Sequence, residues 1–160
     1  MKKAIGFIIF FLVIRFVSVS QQVDPINIPH LGFTAKIESI KSMDQGVYIS
    51  ISTTVINNFP DTLQYLTMSC SWGKYYVLDT RAIFLPVPQC NNDSALLVKI
   101  APRKQEVRVI RLISLETARQ LHNVKFRIGF KFVQADVTNK ASKQLKRSKN
   151  IVWSNTICIK

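Results

Sequence analysis

A strict two-residue alternation of side-chain character runs from residue 47 to residue 55, and it limits the fold class more than any other feature. One side of this stretch carries Val47, Ile49, Ile51, Thr53 and Val55, and the other carries Tyr48, Ser50, Ser52 and Thr54. An extended chain places successive side chains on opposite faces of a sheet. The pattern is therefore typical of a half-buried strand in an antiparallel sheet.

Other segments with strand character follow along the chain and are separated by residues that favour turns. The predicted strands cover 33–41, 47–55, 63–72, 75–80, 95–101, 107–114, 124–132 and 151–159. The segments 95–101 and 107–114 are expected to form a hairpin, and 115–122 is the one stretch with helical character. We predict an all-β fold, a single two-sheet sandwich of about seven or eight antiparallel strands with at most one short helix. A barrel is the main structural alternative.

The N-terminus has the plan of a secretory signal peptide. Lys2 and Lys3 precede an apolar run over 4–14, and a small-residue site follows at Ser18-Val19-Ser20. The run is well short of the roughly 20 apolar residues that a membrane-spanning helix needs. We predict a signal peptide over 1–20 with cleavage after Ser20, a single domain over 21–160, and a secreted, periplasmic or cell-surface location. An uncleaved N-terminal anchor is the alternative.

The chain is strongly basic, with a formal net charge of +13 at pH 7. Removal of residues 1–20 takes away Lys2, Lys3 and Arg15 and no acid, so the charge of the remaining chain is +10. Such a surplus favours solubility and long-range attraction to anionic partners, but it does not bear on the fold.

Positive charge is concentrated in the basic segment, residues 136–150, which we expect to be a long loop between the last two strands. Its cations stand against one acid, Asp136, and further cations alternate along the polar side of 124–132. The candidate anion-binding residues are Lys140, Lys143, Lys146, Arg147, Lys149, Lys125, Arg127 and Lys131. They suit anionic glycans or lipid headgroups, whereas the simpler alternative is a solvated surface. No specific nucleic-acid partner is expected, because the segment lacks aromatic side chains for base stacking.

Three cysteines allow at most one internal disulfide. Cys70 and Cys90 are the candidate pair, because a bond between them closes a loop of about 20 residues and contributes about 3 kcal/mol in the chain-entropy model. Export would permit the bond. The alternative is that Cys70, Cys90 and Cys158 are all small core residues, as free cysteines often are.

The sequence contains no recognisable catalytic or metal-binding motif. His30 and His122 are the only side chains whose ordinary pKa lies near neutrality, and neither neighbours a nucleophile motif. The acids lie mostly at turns and strand ends, and the chain has no CxxC or glycine-rich phosphate motif. We therefore expect a protein that is not an enzyme and that uses no cofactor or metal.

Residues 45–115 carry a resemblance to known sandwich modules. An Asn57-Asn58 turn precedes a strand that bears Tyr65 and Trp72, and a proline turn at Ile100-Ala101-Pro102 separates a later pair of strands. This layout resembles exported bacterial immunoglobulin-like β-sandwich modules and is loosely similar to the intracellular proteinase inhibitor-like sandwich family. True immunoglobulin domains have a tryptophan between two paired cysteines, whereas Trp72 follows Cys70 by two positions. The resemblance therefore implies the sandwich shape alone.

These patterns lead to a non-enzymatic binding or adhesion-type module of the cell envelope as the expected function. Its expected partner is an anionic glycan, a lipid headgroup or an envelope protein. One alternative is a structural or accessory subunit that docks by strand addition, in which the proline-bearing connection 81–94 guards or offers a sheet edge. Another is a proteinase inhibitor-like module.

Overall fold

A computed structural model describes residues 30–133, 135 and 150–160 of the chain. The predicted signal peptide and most of the basic segment lie outside these residues. The elements, in chain order, are β1 (Leu31–Met43), β2 (Gly46–Asn57), β3 (Leu63–Met68), a 3-10 turn (Ser71–Tyr75), β4 (Tyr76–Leu78), β5 (Ala95–Ile100), β6 (Gln105–Ser114), α1 (Ala118–Leu121), β7 (Lys125–Phe126), β8 (Ile128–Lys131), β9 (Ile151–Trp153) and β10 (Ile157–Cys158).

The first sheet has the strand order β1-β2-β6, and both ladders are antiparallel. A turn closed by Gly46 joins β1 to β2, and a register shift between Ile37 and Ser39 bends β1. The alternation of β2 is observed as predicted, since its inward residues are buried: Val47, Ile49, Ile51, Thr53 and Val55.

The second layer is assembled from shorter ladders. β3 pairs with β5, β4 with β8, β8 with β9, and β7 with β10, all antiparallel. The Leu66 N–H donates to the Val133 carbonyl over 3.0 Å, which joins β3 to the continuation of β8. The resulting order across this layer is β5, then β3 with β4, then β7 with β8, then β9 with β10.

The two layers pack face to face and form one aromatic-rich core. The Phe33 ring of β1 lies 5.6 Å from the Phe130 ring of β8, and Tyr65 contacts the same ring edge-on at 5.5 Å. The hydroxyls of Thr53 and Tyr76 meet between the sheets at 3.4 Å. Among the described residues no ladder joins the two layers. The prediction of an all-β sandwich is confirmed.

Asn57, at the end of β2, is a fully buried polar residue that ties both layers together. Its amide group donates to the carbonyls of Asp61, Ile100 and Ala101 at 2.8–3.1 Å, and its side-chain oxygen accepts from the Phe59 N–H. Its backbone is bonded to the loop after β5 as well. The site where the chain crosses from β5 to β6 is therefore fixed by one side chain.

Three local predictions need correction. The predicted strand 63–72 is too long, because β3 ends at Met68 and Ser71–Tyr75 form the 3-10 turn, so the next strand begins at Tyr76. The predicted hairpin between 95–101 and 107–114 is wrong, because β5 pairs with β3 and β6 pairs with β2 in the other layer. The helical stretch is shorter than 115–122, because α1 spans only Ala118–Leu121. A capping box between Thr117 and Gln120 begins it. Asn123, with φ of 67°, follows at its end.

Replacing Asn57 by alanine should lower the free energy of unfolding by about 2–3 kcal/mol, because buried backbone carbonyls lose their hydrogen-bond donor. The neighbouring Asn58→Ala is the matched control. Asn58 is exposed, so its replacement should change the free energy by less than about 0.5 kcal/mol. Urea unfolding of the three proteins measures both values, and equal stabilities would contradict the role given to Asn57.

Candidate functional site

The predicted anion-binding residues fall into two groups. Lys140, Lys143, Lys146, Arg147 and Lys149 lie outside the described residues. Lys125, Arg127 and Lys131 lie on the outer side of the β7–β8 segment, where they alternate with buried Phe126, Ile128 and Phe130. The structure therefore places these three cations on one face of the second layer.

Arg127 is already engaged by groups of the fold. Its Nε lies 2.9 Å from Asp79 Oδ2, and its backbone N–H donates to Asp79 Oδ1 over 2.6 Å. The guanidinium group also lies over the Trp153 ring, 5.0 Å from its centroid. Among the described residues Lys125 and Lys131 have no ion-pair partner, so they are the cations of this face that remain available to an anion.

Connection 81–94 is tied at its far end to the 3-10 turn. A disulfide joins Cys70 to Cys90, with the Cα atoms 6.0 Å apart. The Asp93 carboxylate accepts from the Cys70 and Ser71 N–H groups and from the Ser71 hydroxyl. These bonds, the Ser71 hydroxyl foremost, hold the pKa of Asp93 below its ordinary value.

Cys158, the third cysteine, is a free, half-buried thiol.

The near end of connection 81–94 contacts the C-terminal end of β6: the Ser114 hydroxyl donates to the Ala82 carbonyl over 2.7 Å, and one residue, Phe84, pairs with the β6 backbone. Phe84 and Ile113 exchange two backbone hydrogen bonds, each 2.9 Å long. In an antiparallel strand the N–H and C=O groups of successive residues point to opposite sides. Since those of Ile113 point away from β2, those of Arg111, Val109 and Val107 do so too. The even-numbered positions point to β2 instead: the Lys104 carbonyl, just before β6, accepts from the Asn57 N–H of β2, which agrees with this assignment.

Two prolines stop connection 81–94 from following β6 further. If it continued in the register set by Phe84 and Ile113, Pro86 would lie opposite Arg111, and Pro88 would lie opposite Val109. Both positions must donate an N–H to continue the ladder, and proline has none. Val107, Val109 and Arg111, which we call the β6 edge, therefore have no backbone partner on this side among the described residues.

Two of the three side chains of the β6 edge are exposed valines, and the third is the exposed cation Arg111. Val107 and Val109 are 54% and 59% exposed, and Leu115, two residues beyond the half-buried Ile113, is 75% exposed. Phe84 and Tyr48 flank Ile113 across the same face and are also exposed. Apolar residues therefore stand on both sides of Arg111 along this face, and clusters of exposed apolar residues are characteristic of interaction surfaces.

Charged and aromatic side chains fill the space behind the β6 edge. Arg108 and Glu106 point inward, and the Arg108 guanidinium lies 5.8 Å from the Trp72 ring centroid. Burial raises the pKa of Tyr65 and Tyr76, which lie near the same pair of charges. These side chains fill the space between the two layers behind β6, while the outward backbone groups of the β6 edge stay accessible.

The described residues offer binding geometry rather than a catalytic cluster. They contain no group of three or more His, Cys, Asp or Glu side chains that could hold a metal ion. The His30 ring packs 5.6 Å from that of Phe59, and His122 is exposed. Within the same part of the chain, no helix has the length and apolar character needed to cross a membrane.

Sequence reasoning missed the β6 edge because a β5–β6 hairpin would have covered it. The signal was present in β6 itself, where Val107 and Val109 are apolar on the side opposite Ile110 and Leu112. An ordinary half-buried strand would be polar there. The spacing of Pro86 and Pro88 was the second signal.

Comparison with known proteins assigns no family: no family model matches the chain, and no curated protein is significantly similar to it.

Replacing both Cys70 and Cys90 by serine should lower the free energy of unfolding by about 3 kcal/mol, because the unfolded chain regains the freedom of a 20-residue loop. The matched control is Cys158→Ser, which removes a thiol that bridges nothing and should cost less than about 1 kcal/mol. Urea unfolding under non-reducing conditions measures both. A double variant as stable as the unaltered protein would show that the disulfide does not constrain the fold.

Proposed function

We propose that this protein is a non-enzymatic binding module of the cell envelope that docks on a protein partner by strand addition at the β6 edge. The observation that carries the proposal is the coincidence of unpaired backbone groups with exposed valines in Val107 and Val109. The predicted signal peptide supports an envelope or secreted location. So does the Cys70–Cys90 disulfide, because such bonds persist in oxidising compartments.

Strand addition uses both features of the edge. An extended partner segment completes the hydrogen bonds of Val107, Val109 and Arg111, and main-chain bonds of this kind supply affinity. Alternate side chains of the segment then lie beside the two valines, which supplies apolar contact and fixes the register. Pro86 and Pro88 prevent connection 81–94 from filling the site.

Charge favours an acidic partner over a second copy. Arg111 is exposed on the edge, Arg103 and Lys104 are exposed in the loop before β6, and the whole chain carries +13. Two copies would bring like charges together, whereas a segment that alternates apolar and acidic residues matches both the valines and the arginine. The partner that fits the β6 edge is therefore an extended acidic segment of another protein.

A second candidate function is binding of an anionic glycan or lipid headgroup through the basic segment. The observation that favours it is the pair of unengaged cations Lys125 and Lys131 on the outer face of the second layer. Such binding should weaken steeply as salt increases. It should depend on Lys140, Lys143, Lys146, Arg147 and Lys149, which strand addition does not need.

A synthetic peptide that alternates valine and glutamate tests the first proposal. It should bind the protein and shift the amide NMR signals of Val107, Val109 and Arg111, whereas a peptide that alternates valine and lysine should bind far more weakly. Val109→Pro should reduce affinity by about tenfold, because it removes one outward N–H and leaves the ladder to β2 intact.

Val109→Thr is the matched control, since it keeps the N–H and the branched side chain, and it should bind nearly as well as the unaltered protein. Changing the five cations of the basic segment to glutamine should also leave peptide binding largely intact. Equal binding by Val109→Pro and Val109→Thr would contradict strand addition. Self-association in sedimentation without peptide would assign the edge to a second copy instead.

A further inference from the structure

A groove of about 390 Å³ is lined by residues of β4, the 3-10 turn and connection 81–94, and by Lys131 at the end of β8. One wall is β4 itself, and the other is the part of connection 81–94 that runs from Ile83 to Val87. Small-molecule sites commonly start at about 300 Å³ and are mostly apolar with a few polar groups. The groove reaches this volume as an open surface trough rather than an enclosed cavity, and it uses none of the three residues of the β6 edge.

Its interior is apolar, and two of its rim residues are exposed. Val77 and Leu78 contribute from β4, and Leu85 lies opposite them. Phe84 and Val87 present exposed apolar surface at the mouth. An alkyl chain laid along this surface would remove apolar area from water on both sides, at about 0.8 kcal/mol for each buried methylene group.

The wall opposite β4 is held in place by close packing. A Cβ added at Gly73 would lie 3.1 Å from Val87 Cγ2 and 3.2 Å from Leu85 Cδ2, so the connection lies directly against the 3-10 turn. The Cys70–Cys90 disulfide and the Asp93 hydrogen bonds anchor the same connection a few residues further on. The groove is thus formed before a ligand arrives, which lowers the entropy that binding costs.

Two lysines provide the only charge among the residues that line the groove. Lys74 and Lys131 contribute ammonium groups, and no carboxylate lines the groove with them. Neither lysine has an ion-pair partner among the described residues, where ion pairs join Lys36 to Glu38 and Arg127 to Asp79. Asp93 lies near enough to Lys74 for the two charges to interact, so its carboxylate offsets part of the Lys74 charge. An anionic group at this point would therefore gain the Lys131 ammonium group and the remaining part of the Lys74 charge.

We infer that this groove is a binding site for a single-chain anionic amphiphile of the fatty-acid class. The alkyl chain lies between β4 and connection 81–94, and the carboxylate lies at Lys74 and Lys131. The apolar lining selects the chain, and the two ammonium groups select the sign of the head. The sequence predicted Lys131 to bind anions. In this groove Lys131 would act together with Lys74, and its ligand would be smaller than a glycan.

The test is titration with decanoate below its micelle-forming concentration, followed by calorimetry and amide NMR. Decanoate should bind and shift the signals of Lys74, Val77, Phe84 and Val87. Decanol, which has the same chain and no charge, should bind about tenfold more weakly, and decyltrimethylammonium should not bind measurably.

Lys74→Gln combined with Lys131→Gln should lower decanoate affinity by about tenfold and leave decanol binding unchanged. Lys125→Gln is the matched control, since Lys125 is a cation of the same layer that does not line the groove. Val87→Asp should abolish decanoate binding by placing a like charge at the mouth. The inference would be overturned if decanoate and decanol bound equally well. It would also be overturned if Lys125→Gln lowered decanoate affinity as much as the double variant does. None of these outcomes bears on the β6 edge.

Discussion

The hydrogen bonds of the buried Asn57 side chain are the interaction on which the arrangement of this sandwich depends. A carboxamide has two N–H donors, and here they serve three carbonyls at the end of β5 and in the neighbouring loops. Because burial removes water as an alternative partner, these carbonyls have to stay near Asn57. The chain therefore leaves the second layer and enters the first at a fixed point, and β5 and β6 become edges of different sheets.

The two sides of the sandwich differ as a consequence. On one side, the Ala35 N–H of β1 donates to Asn155 Oδ1 over 3.0 Å, which links the edge of the first layer to the β9–β10 segment. On the other side, β5 and β6 diverge, and connection 81–94 crosses the gap between them. It contacts β6 at Ala82 and Phe84 and lies against the 3-10 turn at Leu85 and Val87. The open β6 edge and the groove beside β4 are both products of this divergence.

Local patterns in the sequence predicted the strands well, because alternation over nine residues reports directly on burial. The β2 pattern and the row of Phe126, Ile128 and Phe130 are both observed with the predicted faces buried. The choice of strand partner is a non-local property, and there the prediction was wrong for β5 and β6. Short sequence separation favoured a hairpin, whereas the fold uses the distant pairs β3–β5 and β2–β6. No local pattern records the buried donors of Asn57 that decide between them.

The candidate sites were less predictable than the strands for the same reason. Arg127 was grouped with Lys125 and Lys131 by alternation, but its engagement with Asp79 and Trp153 depends on contacts between residues far apart in sequence. The sequence left the Cys70–Cys90 pairing open, since spacing does not reveal whether two Cα atoms come within bonding range. The prolines Pro86 and Pro88 indicated that 81–94 is a connection that guards or offers a sheet edge. Their effect on β6 could be read only once the register of Phe84 with Ile113 was known.

Amide hydrogen exchange along β6, measured residue by residue by NMR, shows whether the outward backbone groups of this strand are unpaired. We predict an alternation: the amides of Val107, Val109 and Arg111 exchange rapidly, whereas those of Arg108, Ile110 and Leu112 are protected by their bonds to β2. Ile113 is the internal control, because its bond to Phe84 should protect it although its N–H points to the open side. Uniform protection from Val107 to Leu112 would mean that β6 is paired on both sides, and it would contradict the open edge.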